Sequence, residues 1–446
     1  MIEGKSHDIS HTETLTMPPV VPHLLYVSAT DATAAYPSIT AALRHANAGD
    51  TVVVGAGRYS PSQTREHFPL YVPPGVSLLG TGQDTCVIDG EGATAPSFRP
   101  VLEAQSLILL GDHSTLSDFT ITNSGGNGIG NQPGARVQII RNTIQAHGQH
   151  GIIVSGPEEA LIKDNLFRDN GTLKYGPETP RPAAARQGHH IFVQGKSGAA
   201  NRMLICDNTM SRAFADGIAI VVFFDEADGV HMHVRVWRNT IEQSERRGLT
   251  IAGSFGPSHN RVEIDVRHNV IRNNHALAVG AQAARPLATQ LLRDNRLRMH
   301  LVDNECRDNG DGVMLFGGFG PAEQNVLEAT VIGNIITGAA RYGLRMIGGV
   351  GMLGYAAHHN RVQAVVHRNR IEGAGTSAVF LQGGAADSQA DVTGNAVLTH
   401  IVDNELLATN AASSMLLNDG LPGNNVHVEA PIPLHERVAE PMAYEA

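Results

Sequence analysis

The stretch "RVEIDVRHNVIRNN" (residues 261–274) returns a hundred residues later as "RVQAVVHRNRIEGA" (361–374). Both place an apolar residue three before an asparagine and another two after it. The frame recurs around Asn142, Asn165, Asn208, Asn239, Asn269, Asn304, Asn334, Asn369 and Asn404. The leading apolar positions run from Ile139 to Ile401 and the trailing ones from Ile144 to Leu406, with no failure at any copy. Most spacings fall between 30 and 35 residues. Self-similarity at such a period is the mark of a repeat architecture.

A second asparagine series, Asn260, Asn295, Asn325, Asn360 and Asn395, stands nine residues before the first. Between the two series apolar residues alternate, as in "RVEIDV", which predicts a strand with one face buried. A second short strand follows the main asparagine. A third is often opened by glycine, as in "GIIV" from Gly151, "GIAIVV" from Gly217 and "GLTI" from Gly248. Glycine-rich loops are then expected, such as "GSFGPSHN" (253–260) and "GGFGPAEQN" (317–325). Three strands and three turns per repeat predict an all-β chain wound as a parallel β-helix. Like residues stack in register, and stacked asparagine amides satisfy turn backbone groups that would otherwise be buried unpaired.

Composition agrees with short strands and turns: glycine numbers 48 and aromatics make up 5%. There are 33 basic and 43 acidic residues, a net charge of −10, and no Lys/Arg run, so no nucleic-acid partner is expected. Three cysteines, Cys86, Cys206 and Cys306, make neither a disulfide framework nor a zinc motif. No run approaches the ~18 apolar residues of a membrane span. The opening residues have no apolar stretch of signal-peptide length, so the expectation is a cytoplasmic protein, or a secreted one whose signal was removed.

"YPSITAALRHANAGDTVVVGAGRYS" (36–60) predicts a short helix and then a strand. Ser38 is the N-cap, Ile39, Ala42, Leu43 and Ala46 form one face, and Gly49 ends the helix, which would cover the open end of the solenoid. With "VSLLGTGQDTCVIDG" (76–90), this stretch resembles the opening segment of the pectin-lyase-like superfamily of right-handed parallel β-helices. The resemblance, with the later coils, covers about residues 25 to 430. The expected organisation is a flexible segment at 1–22, a β-helix domain with its N-terminal cap at 23–430, and a tail at 431–446. The tail is expected to lie across an apolar stripe or over the last coil.

The resemblance implies a substrate lying along one outer sheet, here the third strand of each coil. Strict alternation puts outward Ile153, His190, Phe192, Val221, Phe223, Asp225, Thr250, Ala278, Met314, Phe316, Arg345, Ile347, Phe380, Gln382, Leu416 and Asn418. So apolar a stripe needs a cover: a ligand, a tail, or a partner chain, which makes a homo-oligomer one expectation. His189, on the inward phase, and His190 follow the longest insertion, "GTLKYGPETPRPAAARQG" (171–188). Histidine exchanges protons near neutral pH. The catalytic candidates are therefore His190, His189 and Asp216, the last standing one rung away. Arg345 suits a carboxylate. Phe192, Phe223, Asp225, Met314, Phe316, Ile347, Phe380 and Gln382 complete the candidate binding face. Asp225, with Glu226 and Asp228, suggests a calcium turn, although a solvated acidic turn is the simpler reading, and no metal or other cofactor is expected.

Signatures that the superfamily's known activities require are missing. There is no aspartate trio like that of the polygalacturonases, "RPAAAR" (181–186) only loosely echoes the pectate-lyase arginine motif, and the acid–histidine signature of alginate epimerases is absent. Three readings follow: a proton-transfer enzyme (lyase, epimerase or hydrolase) acting on a glycan or uronide; an intracellular isomerase or cyclase of a small apolar metabolite; and a non-catalytic binding or assembly protein.

Overall fold

The computed structural model describes residues 23–31, 33–93, 105–171, 188–223, 228–286, 289–352, 354–386, 390–408 and 413–429. The expected N-terminal segment 1–22, the tail 431–446, most of the long insertion, Asp225 and Glu226 lie outside them.

The chain winds as an all-β parallel solenoid of about 12 turns. The first strands of successive coils make a 14-stranded sheet, and the second and third strands make one 12-stranded sheet each. Pairing is parallel and in register: Val262, Ile264 and Val266 stand on Leu297, Met299 and Leu301. Alternation along Arg261–Arg267 buries those three while the residues between them face out, and the inward side chains of all three sheets merge into one continuous core. A fourth sheet of two-residue strands (Leu292–Arg293, Ala322–Glu323, Ala357–His358, Val392–Thr393) adds a face that the three-strand reading did not contain.

The main asparagines form one unbroken column. Each backbone N–H, from Asn142 to Asn369, donates to Oδ1 of the asparagine one coil on, at 2.9–3.0 Å. Each side-chain amide also donates to carbonyls of the turn, as Asn334 Nδ2 does to Leu301 at 2.7 Å and Ile332 at 3.1 Å. The residue before each asparagine sits in the left-handed region, including Arg141 (φ 54°), Asp207 (φ 58°) and Arg238 (φ 52°). Neighbouring side chains there pair along the axis, Arg141 with Asp118 and Arg238 with Asp207, each at 2.7 Å. The second column runs from Asn260 to Asn395 and continues to Asn424.

Several local expectations change. The helix spans only Ile39–Leu43 and ends at Arg44, short of Gly49. Ser38 caps it as expected, and the Glu66 carboxylate, unforeseen, takes the N–H groups of Ile39 and Thr40 at 2.8 Å. The helix packs against the first strands of the solenoid, with Ile39, Ala42 and Leu43 in the core. "GGF" at 317–319 is no loop: strand Asp311–Phe319 runs straight through it. Gly318 and Gly349 are required there, because a Cβ would come within 2.5 Å of Asn360 and 2.2 Å of Asn395 in the second ladder. Ala278 faces the core, not the outside.

The outward stripe of the third sheet is covered by the chain itself. Phe255 packs on Ile153, Phe192, Val221 and Phe223, while Phe319, Val350, Met352 and Ala385 pack with Met314, Phe316 and Ile347. Among the described residues the outward apolar side chains of the stripe are thus largely buried under the chain's own segments. Replacing Asn334 by Ala should orphan buried turn groups and lower stability by about 1–3 kcal/mol, read as a shift in the urea midpoint; wild-type stability would show that the column is not structural.

Candidate functional site

At the start of the third sheet, Asn127, His150, His189 and Asp216 occupy the same position in four successive coils. This column is a ladder of a different kind. His150 N–H donates to Asn127 Oδ1 (3.2 Å), His189 N–H to His150 Nδ1 (3.3 Å), and Asp216 N–H to His189 Nδ1 (3.1 Å). The imidazole nitrogens do the work of asparagine oxygens. The His150 and His189 rings stack 5.1 Å apart at 8°, and Phe192 lies 4.8 Å from His150.

Accepting an N–H leaves no proton on His189 Nδ1, so the neutral ring carries its proton on Nε2. Asp216 Oδ2 lies 3.6 Å from Nδ1, beyond hydrogen-bond reach, so the backbone bond sets the tautomer. Burial pushes the His189 pKa below the ordinary histidine value, with Arg246 acting the same way and the Asp216 charge opposing both. Asp216 is 2% exposed. Its Oδ2 accepts from Thr250 Oγ1 at 2.9 Å, Thr250 is met by Arg247 Nη1 at 3.4 Å, and its Oδ1 is buried without a partner.

These groups line a cavity of about 170 Å³, with Phe192, Phe223 and Phe255 as apolar walls and Arg246, Arg247 and Arg285 as half-buried cations. A larger cavity, about 500 Å³, opens on the outer face of the first sheet. It is shallow, and its charged groups pair with one another, Arg298 with Glu328 at 2.9 Å and His400 with Glu429 at 3.6 Å. The smaller cavity is the one that brings His189 and Asp216 together.

His189, Asp216, Phe192 and Phe223 thus come together. His190 does not join them. It faces the interior, 0% exposed, with its ring beside Phe167 and Nδ1 3.0 Å from Asn170 Nδ2. From Gly128 to Ala378 the rest of its column is glycine or alanine, and a Cβ at Gly217 or Gly248 would strike an isoleucine at 2.3 Å. The turn breaks the alternation, so the two histidines exchange faces: His189 looks out and His190 in. Met314 and Phe316 line an adjoining cavity. Ile347, Phe380 and Gln382 are buried farther along the sheet. Arg345 stands five rungs from Phe192, its guanidinium over Tyr342 (5.0 Å) and Phe380 (5.3 Å). Asp228 takes the Ser258 N–H at 2.7 Å, and among the described residues no group of three or more His, Cys, Asp or Glu is placed to hold a metal ion. Thr250, Arg246, Arg247, Arg285 and His150 were not among the candidates. "ERRGLTI" (245–251) carried a signal for the first three, since it places two arginines and a threonine one rung beyond Asp216.

With this geometry goes a fold class: the chain is a parallel β-helix. Residues 106–288 match the family model described as a right handed beta helix region, and residues 28–174 match a protein family of unknown function, DUF1565. No curated protein matches by sequence. Among solved structures, the A-module of the Azotobacter vinelandii mannuronan C-5 epimerase AlgE6 is 16% identical. The match covers 89% of this chain and 95% of that one, with a TM-score of 0.50. The Streptococcus pneumoniae surface protein and adhesin PfbA is 11% identical over 85% and 94%, with a TM-score of 0.51. At such identity these likenesses establish the fold alone. Among the described residues no helix is long and apolar enough to cross a membrane.

The interior histidines give a pH prediction. Burial pushes both His147 and His190 down to about 3. A folded pKa below the unfolded value of about 6.5 means that the stabilisation is complete above pH 6.5 and is lost as pH falls toward 3. His147 Nδ1 accepts the Ser124 N–H at 3.2 Å, a bond that an asparagine Oδ1 reproduces. His147→Asn should therefore keep the ladder and reduce the stability lost between pH 6.5 and 4.5, by on the order of 2 kcal/mol. Urea unfolding at the two pH values measures it; an unchanged loss would remove His147 from the acid response.

Proposed function

We propose that the groove over His189 and Asp216 binds an acidic glycan and moves a proton on it, as a lyase or epimerase acting on a uronide. The observation that carries this reading is the Asp216 carboxylate: buried, with Oδ1 unpartnered, in the lining of a cavity that also has a neutral imidazole and three arginines in its walls. Polar groups are rarely left unpaired in folded proteins unless a ligand or a reaction uses them. The fold does not choose between an epimerase and an adhesin, since both kinds of protein share it, so the choice rests on the site.

In this reading Asp216 Oδ1 is the base. It takes the proton from the carbon bearing the substrate carboxylate, and the C–H electron pair moves into that carboxylate as an enolate. Arg246, Arg247 and Arg285 face the developing negative charge. His189, its proton held on Nε2 by the ladder, donates a hydrogen bond to the enolate or to the departing glycosidic oxygen. Re-protonation of the carbon on its opposite face by a solvent water gives the epimer; alternatively, the neighbouring glycosidic oxygen leaves, takes a proton from water and gives an unsaturated uronide and a free hydroxyl, and in both cases the proton held by Asp216 returns to the hydroxide so formed. His190 plays no part, because the core encloses it.

The test is incubation of the full chain with uronate oligosaccharides in deuterated water, followed by NMR for deuterium beside the carboxylate and for unsaturated product. Asp216→Asn should slow turnover by about 10²–10⁴-fold and His189→Gln by about 10²-fold or more. Oligosaccharide binding without exchange or elimination would turn the assignment to a glycan-binding protein.

A further inference from the structure

A second cavity, about 250 Å³, adjoins the first and shares Arg246, Arg247 and Arg285 with it. Beyond those arginines its wall is mostly apolar. Leu277, Met314, Phe316, Phe319 and Met352 supply most of its wall, and Gln282 is its one further polar side chain. The hollow has a local cause. Gly280 stands in the outward column between Thr250 and Met314, where it contributes no side chain. The guanidinium of Arg285 lies over the Phe319 ring at 5.2 Å, so one of the shared cations is built into the apolar wall.

From this juxtaposition we infer that the natural ligand is amphipathic: an acidic sugar carrying an apolar substituent, acyl or aryl, the acid at the arginines and the substituent over Gly280 among Met314, Phe316 and Met352. The inference rests on the proposed site for the sugar acid, and adds the class of group attached to it. A plain uronide chain bears hydroxyls along its whole length, and the wall formed by Leu277, Met314, Phe316, Phe319 and Met352 offers no polar side chain to pair them with; burying them against it unpaired is unfavourable. An apolar group meets no such penalty. Two methionines suit a substituent of variable shape, because the thioether chain repacks easily. The room, on the order of eight waters at ~30 Å³ each, fits a medium chain or an aromatic ring.

The experiment measures calorimetric affinity of the full chain for methyl, butyl and hexyl uronides below their aggregation concentrations, with the neutral hexyl glucoside for comparison. Each buried methylene should tighten binding about fourfold, and the neutral glucoside should bind more weakly than the hexyl uronide. Gly280→Met, which fills the hollow, should abolish the gain with chain length while leaving methyl uronide binding and the urea midpoint unchanged. Should that variant fail to fold, Met352→Gln serves the same purpose, at a site on the cavity wall away from the strand core. Affinity independent of chain length, or a gain that survives both substitutions, overturns the inference, as does equal affinity for the neutral glucoside. A chain-length gain in a protein that catalyses no proton exchange leaves the inference standing and removes only the catalytic reading.

Discussion

A parallel solenoid depends on how it turns its corners. Strand pairing satisfies the backbone along the three faces, but each corner points amide groups toward the core, away from water. The chain solves this with a side-chain oxygen from the coil above. Asn142 through Asn369 each pass one N–H to the next Oδ1, ending at Asn404, and the amide nitrogen returns to two backbone carbonyls. The left-handed residue before each asparagine, unfavourable for a side chain such as Arg238, is held there by this bonding and by the ion pair with Asp207. The helix over the first coil needs the same help at its own end and gets it from Glu66.

The ladder also explains what was legible before any coordinates. An asparagine with fixed apolar offsets can be found by inspection, because a column demands one residue type at one phase. The fold, the register and both asparagine columns were readable on that basis, from Asn142 to Asn404 and from Asn260 to Asn395. The columns that mix residue types were not. Ser124, His147 and Asn170 form one, and Asn127, His150, His189 and Asp216 another. Each supplies an acceptor, but not the same residue, so no repeat announces it. The phase of His190 was misread for a related reason. Period-two counting holds within a strand and fails at a turn. The glycines that open the third strands, such as Gly217 and Gly248, already marked that position as one where a side chain meets the core.

The stripe on the third sheet carries a similar lesson. Its apolar character was evident from Phe192, Phe223, Met314 and Phe316, and so was the need for a cover. What lay beyond sequence reading was that the cover is local: Phe255, Phe319 and Met352 follow the strands they protect. Folding these segments back leaves gaps only where a small residue or a polar column interrupts the packing, at Asp216 and at Gly280. The two cavities lie at those places.

Such a scaffold admits chemistry at low structural cost. A ladder position needs one acceptor at one point in space, and asparagine Oδ1, imidazole Nδ1 and a carboxylate oxygen all provide it. Replacing asparagine by histidine in a column therefore keeps the backbone satisfied, and it also sets the tautomer, since the nitrogen that serves the ladder cannot hold a proton. His150 and His189 are both fixed in this way, with Nδ1 accepting and the proton left to Nε2. One more step along, Asp216 ends the run: it spends its own N–H on His189, gives Oδ2 to Thr250, and keeps Oδ1 unspent. An imidazole of fixed tautomer and a carboxylate thus stand one rung apart, about 4.8 Å in a parallel sheet. The bonding that closes the turn has already oriented both groups.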